Sequence, residues 1–267
     1  MVLLGTGVPM PDPARCGSGT AVLGQGGWLL VDCGRGVSQR IAEAGLDLGR
    51  LRAVLLTHHH SDHVSDLATV AITRWVDGST GPLTVVAPSG PSARYAATCL
   101  DPFEQQAFHG QAPSVAGPPP AIVVRAFPPT PRPGAVHEAH GFRVLAAEVD
   151  HHPMEAAVGY RIETAAGTVT VSGDTAVCSG IEALAEGADV LIHEAVRSDR
   201  VSPAVLAWNA GAGPVGALAA RCGVGSLVLT HLLPPPRSAD DEAAFVAEAR
   251  AGGFTGPITV ARDLLRL

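Results

Sequence analysis

The sequence contains no lysine; all 18 basic residues are arginine. That removes Schiff-base catalysis, pyridoxal-phosphate attachment and the Walker lysine of a P-loop. Aromatic residues are scarce, at 4%, and charged residues amount to only 16%. No apolar run approaches the roughly 20 residues of a membrane span. The start, MVLLGTGVPMPDP, has neither the basic region nor the apolar stretch of a signal peptide. The five cysteines (Cys16, Cys33, Cys99, Cys178 and Cys222) are odd in number, scattered, and form no CxxC. This argues against a disulfide framework or zinc knuckle and for a reducing cytoplasm. Excess positive charge is also missing, since the net charge is −7. Such a chain has no general attraction for nucleic acid or anionic membrane, which disfavours both as partners and favours a small-molecule substrate.

What the chain has is apolar material, 46% of 267 residues, cut into short runs by glycine and proline. MVLLGTG and TAVLGQGGWLLVDCG read as opening strands with tight turns. GVSQRIAEAGL reads as a helix closed by Gly45, and LRAVLLT as a strand buried on both faces. VSDLATVAITRWV reads as a helix and LTVVAP as a strand, and residues 91–112 look partly helical. Residues 113–133 hold eight prolines around one short strand, AIVVRAF, and read as a rigid loop or insertion. Strands FRVLAAEVD, VGYRIETAA and TVTVSGDT follow. Strand and helix then alternate through DVLIHEA, PVGALAARCG, SLVLTH, DDEAAFVAEARAGG and PITVA. No linker divides the halves. The expectation is a single α/β domain over 1–267, with two sheets packed together and helices outside.

The chemistry concentrates in LLTHHHSDHVSDL. Alternate residues at the end of an extended segment point the same way. His58 and His60 can therefore face one cation, while His59 points away. Asp62 and His63, in the turn opening the next helix, can reach a second cation. Imidazole and carboxylate without thiolate suit zinc, with manganese or iron open. His151, Asp174 and His231 each stand just past a strand, where ligands of packed sheets converge, although a lone strand-end histidine is more often structural. Adjacent histidines leave His151 and His152 competing for one position. Asp32 ends WLLVD and can either cap its strand or accept hydrogen bonds from the histidine loop. GAGPVG at Gly211–Gly216 spells GxGxxG but follows no strand, so a helix start explains it better than a dinucleotide site.

THHHSDH resembles the signature of the metallo-β-lactamase-fold hydrolases. The resemblance runs nearly the whole chain, through LLGTGVPMPDPARCGS, LLVDCGRG, VDHH, VGYRI, SGDT, LIHEA and LVLTHLLP. GYRI, SGDT and HEA look closest to the branch holding tRNA 3′-processing endonucleases, arylsulfatase-like proteins and phosphodiesterases. It implies a four-layer αββα sandwich of two mixed sheets. It implies two divalent cations, one held by His58, His60 and His151 (by its spacing to Gly159–Tyr160), the other by Asp62, His63 and His231, with Asp174 bridging. Asp62 would also orient the attacking hydroxide. The Glu of His193–Glu194 orients a general-acid histidine in the family, but that position is Asn209, which can hydrogen-bond a substrate oxygen and cannot supply a proton. The resemblance leaves a homodimer open.

The expected reaction is therefore hydrolysis of a small phosphodiester or sulfate ester by a hydroxide shared between two cations, Zn2+ first in order. A carboxylic ester, lactone or thioester is the next reading, because its leaving group can be less demanding. A tRNA 3′-processing endonuclease ranks lower, because no long arm fits between GYRI and SGDT and the charge is negative. A metal-binding protein without turnover is the remaining alternative, suggested by the missing general acid.

Overall fold

The structure, a computed structural model, describes residues 1–79, 81–103 and 118–267. Two seven-stranded mixed sheets are formed. The first comprises β1 Val2–Gly5, β2 Gly19–Gly24, β3 Gly27–Val31, β4 Leu51–Leu55, β5 Leu83–Pro88, β6 Ile122–Phe127 and β14 Leu265–Arg266. The second comprises β7 Gly134–Ala139, β8 Phe142–Glu148, β9 Val158–Thr164, β10 Gly167–Val171, β11 Val190–Val196, β12 Ser226–Leu233 and β13 Ile258–Val260. Their spatial orders are β14-β1-β2-β3-β4-β5-β6 and β13-β12-β11-β10-β9-β8-β7.

Period-two alternation explains the layering. On β3, Leu29 and Val31 face the second sheet, where they meet Phe142, Val144, Tyr160 and Ile162. Trp28 and Leu30, between them in sequence, face outward onto Val37, Ile41, Leu67 and Val70 of the helices Val37–Glu43 and Leu67–Val76. The second sheet does the same, packing Leu191, Leu227 and Leu229 against Ile181, Val215, Leu218 and Phe245. Three apolar cores separate four layers, which is the αββα sandwich the resemblance implies.

Several elements escape the sequence reading. β7 was not expected, and β14 has only two residues. β14 nonetheless pairs antiparallel with β1 and brings the C-terminal segment onto the first sheet. Within the span expected to be partly helical, Pro91–Thr98 is a helix and Asp101–Phe103 a single turn; residues 104–112 lie outside the described residues. Of the proline-rich stretch, 113–117 also lie outside them, and β6 forms the edge of its sheet, where flanking prolines cost no ladder bonds. The GxGxxG of Gly211–Gly216 has a packing explanation. A Cβ on Gly216 would lie 1.9 Å from Ala249 O, so the glycine lets helix Ala212–Arg221 close on helix Ala239–Ala251.

One hydrogen bond places the fold's chemistry. Tyr160, fully buried on β9, donates its hydroxyl to Leu56 O across the sheets at 2.7 Å. Val158 N adds a second inter-sheet bond, to Thr57 O at 3.0 Å. Both fix the end of β4 immediately before the histidine run.

Candidate metal centre

β3, β4 and β5 run parallel, as do β10, β11 and β12. Their C-terminal ends therefore open on the same side of each sheet. From the first sheet comes the turn Thr57–His63, which ends in the short helix Ser61–Val64. Backbone bonds hold it: Ser18 N donates to Asp62 O at 2.8 Å and Cys33 N to His63 O at 2.7 Å. A Cβ on Gly34 would sit 1.8 Å from Asp62 O, so this close approach requires glycine there.

The second sheet supplies the rest. Thr175 stitches two loops together, its hydroxyl accepting from Asp150 N at 3.0 Å while Ala176 N donates to Asp150 O at 2.8 Å. His151 and Asp174 are thereby held side by side. His231 reaches the same place by a bulge. Thr230 pairs with Glu194 and Leu232 with Ala195, leaving His231 as the extra residue at φ 46°. A bulge re-aims one side chain without ending the strand.

Seven side chains meet there. Ligand atoms of His58, His60, His151 and Asp174 lie within 4.8 Å of one another, and so do those of Asp62, His63 and His231. His58 Nε2 is 3.0 Å from His60 Nδ1, which is 3.4 Å from His151 Nε2. In the second group His231 Nε2 is 3.2 Å from Asp62 Oδ2. Asp174 joins the groups, with one carboxylate oxygen 3.4 Å from His63 Nε2 and the other 3.5 Å from His231 Nε2 and 3.9 Å from His58 Nε2. His151, and not the exposed His152, belongs to the cluster. His59 lies outside both groups.

The ring nitrogens facing away from the cluster are held separately. His63 Nδ1 meets Asp32 Oδ2 at 2.8 Å. His58 Nδ1 meets Thr57 Oγ1 at 3.0 Å, and that hydroxyl donates to Asp32 Oδ2 at 2.8 Å. His151 Nδ1 lies 3.2 Å from Trp208 O. Such partners fix the ring orientation and turn Nε2 into the cluster, where a bound cation would take the place of a proton.

Electrostatics follow from crowding charges in a dry site. Burial, then His63, pushes His58 well below the usual imidazole range. Burial acts the same way on His63, but flanking Asp174 and Asp32 overcome it and hold its pKa well above normal. Burial would raise Asp174, yet His231 and His63 keep it well below the ordinary carboxylate value. Behind Asp174 lies Glu194, pushed well up by burial and by that neighbouring carboxylate, with Oε1 accepting from Thr175 N. Asn209 lies elsewhere on the wall and donates from Nδ2 to Val205 O at 2.9 Å. The structure does not join Glu194 to Asn209.

A fit test is available on the protein's own atoms. Asp62 Oδ1 and His63 Nε2 are buried and have no hydrogen-bond partner. Leaving such groups unsatisfied costs about 1–3 kcal/mol each, and His63 Nε2 faces the carboxylates of Asp62 and Asp174. The donor set fits divalent cations.

His193 gives a prediction of pH dependence. Burial lowers its pKa to about 4 from the ordinary imidazole value of 6.5. The unfolded chain binds that proton between pH 6.5 and 4 and the folded chain does not, so stability falls as pH falls through this window. After chelation of metal, His193→Gln should flatten the loss of urea stability between pH 6.5 and 4 by about 3 kcal/mol.

Residues 27–232 match the Beta-lactamase superfamily domain. A protein of Mycolicibacterium paratuberculosis named Ribonuclease Z is 37% identical, over 100% of this chain and 97% of its own. Another Ribonuclease Z, from Mycobacterium sp. (strain KMS), is 39% identical over 100% of this chain and 95% of its own. Among solved structures, the metallo-β-lactamase fold protein YhfI of Bacillus subtilis superposes with TM-score 0.76 at 22% identity, covering 99% of this chain and 96% of that one. The short form of human tRNase Z gives 0.75 at 22% identity, covering 99% and 98%. At that identity the two structures speak for the fold alone.

These relatives overturn two expectations, that of a small phosphodiester or sulfate ester as the substrate and that against nucleic acid as a partner. Net charge is a sum over the surface and does not describe a cleft containing cations. The missing arm does not discriminate either: relatives matched along 95–97% of their own length have no long segment that this chain lacks. The chain belongs to the metallo-β-lactamase superfamily of metal-dependent hydrolases, in the family of the mycobacterial proteins named Ribonuclease Z.

Proposed function

We propose that this protein is a Ribonuclease Z-type endonuclease that hydrolyses a phosphodiester of precursor tRNA and releases the 3′ trailer. The observation that carries this reading is the similarity, along the full length, to proteins of that name. We assign His58, His60 and His151 to one cation, Asp62, His63 and His231 to the other, and Asp174 to both, with zinc as the metal. Bound there, divalent cations supply Lewis acidity toward a phosphoryl oxygen and toward water.

The chain's own residues do the rest. Asp32, Thr57 and the Trp208 carbonyl hold three imidazoles with Nε2 inward. Asp62 Oδ2 lies in the cluster, 3.2 Å from His231 Nε2, and we assign it to orient a nucleophile's proton. Glu194, its pKa pushed up by burial and by Asp174, supports the SGDT loop through Thr175 N. Asn209 lines the cleft and can hydrogen-bond a substrate oxygen; no proton reaches the leaving group from this position.

The test is incubation of the purified, zinc-loaded protein with a precursor tRNA carrying a 3′ trailer, with both product ends mapped. A single endonucleolytic cut at the trailer is expected; no cut by metal-loaded protein overturns the reading. Loss of a general acid costs 10²–10⁴-fold. Asn209→Ala should therefore lower kcat by less than about 10-fold, measured on the same substrate.

A further inference from the structure

The sequence contains three tryptophans. Two are core residues: Trp28 and Trp75 are 3% and 7% exposed, and their indoles donate to Asp47 O and Pro118 O. The third, Trp208, is 38% exposed. It stands on the wall of a cavity of about 550 Å³ that also contains His60, His151, Asp174 and His231. The same cavity is lined by Met10, 53% exposed, and Met154. A chain with 4% aromatic residues thus presents its exposed indole beside its ligand cluster.

The placement is built. Trp208 O is the partner of His151 Nδ1 at 3.2 Å, so the tryptophan's own backbone touches one of the seven clustered residues. Trp208 N donates to Val205 O at 3.4 Å, on the short helix Pro203–Leu206, and Asn209 Nδ2 bonds the same carbonyl. The backbone that carries the indole is consequently held at a fixed position relative to the cluster. The cavity's volume is that of a small-ligand pocket. Folded RNA cannot enter it; one or two splayed nucleotides of a single strand can. Such nucleotides bring flat bases, and flat bases stack on exposed aromatic faces regardless of sequence.

We propose that Trp208 is a positioning residue that stacks on the nucleobase adjoining the scissile phosphodiester, with Met10 and Met154 adding apolar lining to the same cavity. This rests on the endonuclease reading above. Stacking is sequence-tolerant, which suits an enzyme acting on many trailers. Its removal costs about 5- to 150-fold in binding.

The experiment has two arms. In the first, Trp emission of the metal-loaded wild type is titrated with a short single-stranded RNA and with the same RNA carrying abasic sites. Saturable quenching by the intact RNA, lost with the abasic RNA and absent in Trp208→Phe, is expected. In the second, precursor cleavage by Trp208→Ala and Trp208→Phe is compared with wild type, together with bound metal. Trp208→Ala should raise KM about 10-fold or more with kcat within about 3-fold and metal content unchanged, and Trp208→Phe should restore most of the KM. Equal KM values, equal quenching by abasic RNA, or metal loss in Trp208→Ala overturns the stacking role. Wild-type protein that quenches with RNA but cuts no precursor overturns the endonuclease reading and leaves stacking supported; wild-type protein that cuts without quenching does the reverse.

Discussion

Asp174→Asn should abolish bound metal and precursor cleavage together, with activity falling at least about 10³-fold, beyond the 10–100-fold typical of a residue that only supports a ligand. Asp174 has three imidazole nitrogens within 3.9 Å, drawn from both clusters. It is the point at which the two clusters become one site. Asparagine keeps the volume but replaces one acceptor oxygen with an N–H donor. That donor would face His63, His231 or His58 and offer nothing to a cation. The expected result is near-zero metal by elemental analysis in a protein whose far-ultraviolet circular dichroism is unchanged. The fold should persist because asparagine keeps the volume and the three apolar cores that build the sandwich do not include this position. A variant with full metal and no cleavage would give Asp174 a role in the reaction other than bridging.

The readable part of this site is local. His58, His60, Asp62 and His63 stand within six residues, so strand periodicity and one helical turn suffice to bring them close. His151, Asp174 and His231 are 80 residues apart from first to last. Their convergence depends on parallel strands ending on one side, which the order of apolar runs suggests but does not require. His231 shows the gap between pattern and geometry. The sequence places it after a strand; the structure keeps it inside β12 on a bulge at positive φ. Nothing in SLVLTHLL marks that bulge. Nothing in VSPAVLAWNA marks Trp208. Its importance lies in a backbone contact with a residue 57 positions away. Substrate class was misjudged for a further reason. Net charge was taken over the whole chain, whereas recognition is decided over one cleft and its cations.

Asp32→Asn should weaken metal binding about 10–100-fold and destabilise the protein by about 2 kcal/mol. Asp32 is 1% exposed and has φ 58°, a left-handed backbone that aspartate tolerates better than most residues. Its carboxylate faces three donors: Thr57 N at 2.8 Å, the Thr57 hydroxyl at 2.8 Å and His63 Nδ1 at 2.8 Å. Asparagine has one carbonyl oxygen, so at least one donor loses its acceptor at a position that is 1% exposed. The amide nitrogen would also drive His63 toward the opposite tautomer, with its proton on Nε2, aimed at the place of a cation. A residue that only capped β3 would behave differently. Its loss would lower the urea midpoint of the metal-free protein and leave the metal dissociation constant of the folded protein unchanged. Titration of the chelated wild type and variant with zinc, alongside urea unfolding of each, separates the two roles. The arrangement of Thr57 between Asp32 and His58 adds a second criterion. Thr57→Val should reproduce part of the affinity loss, because it removes the hydroxyl through which the carboxylate reaches the second imidazole.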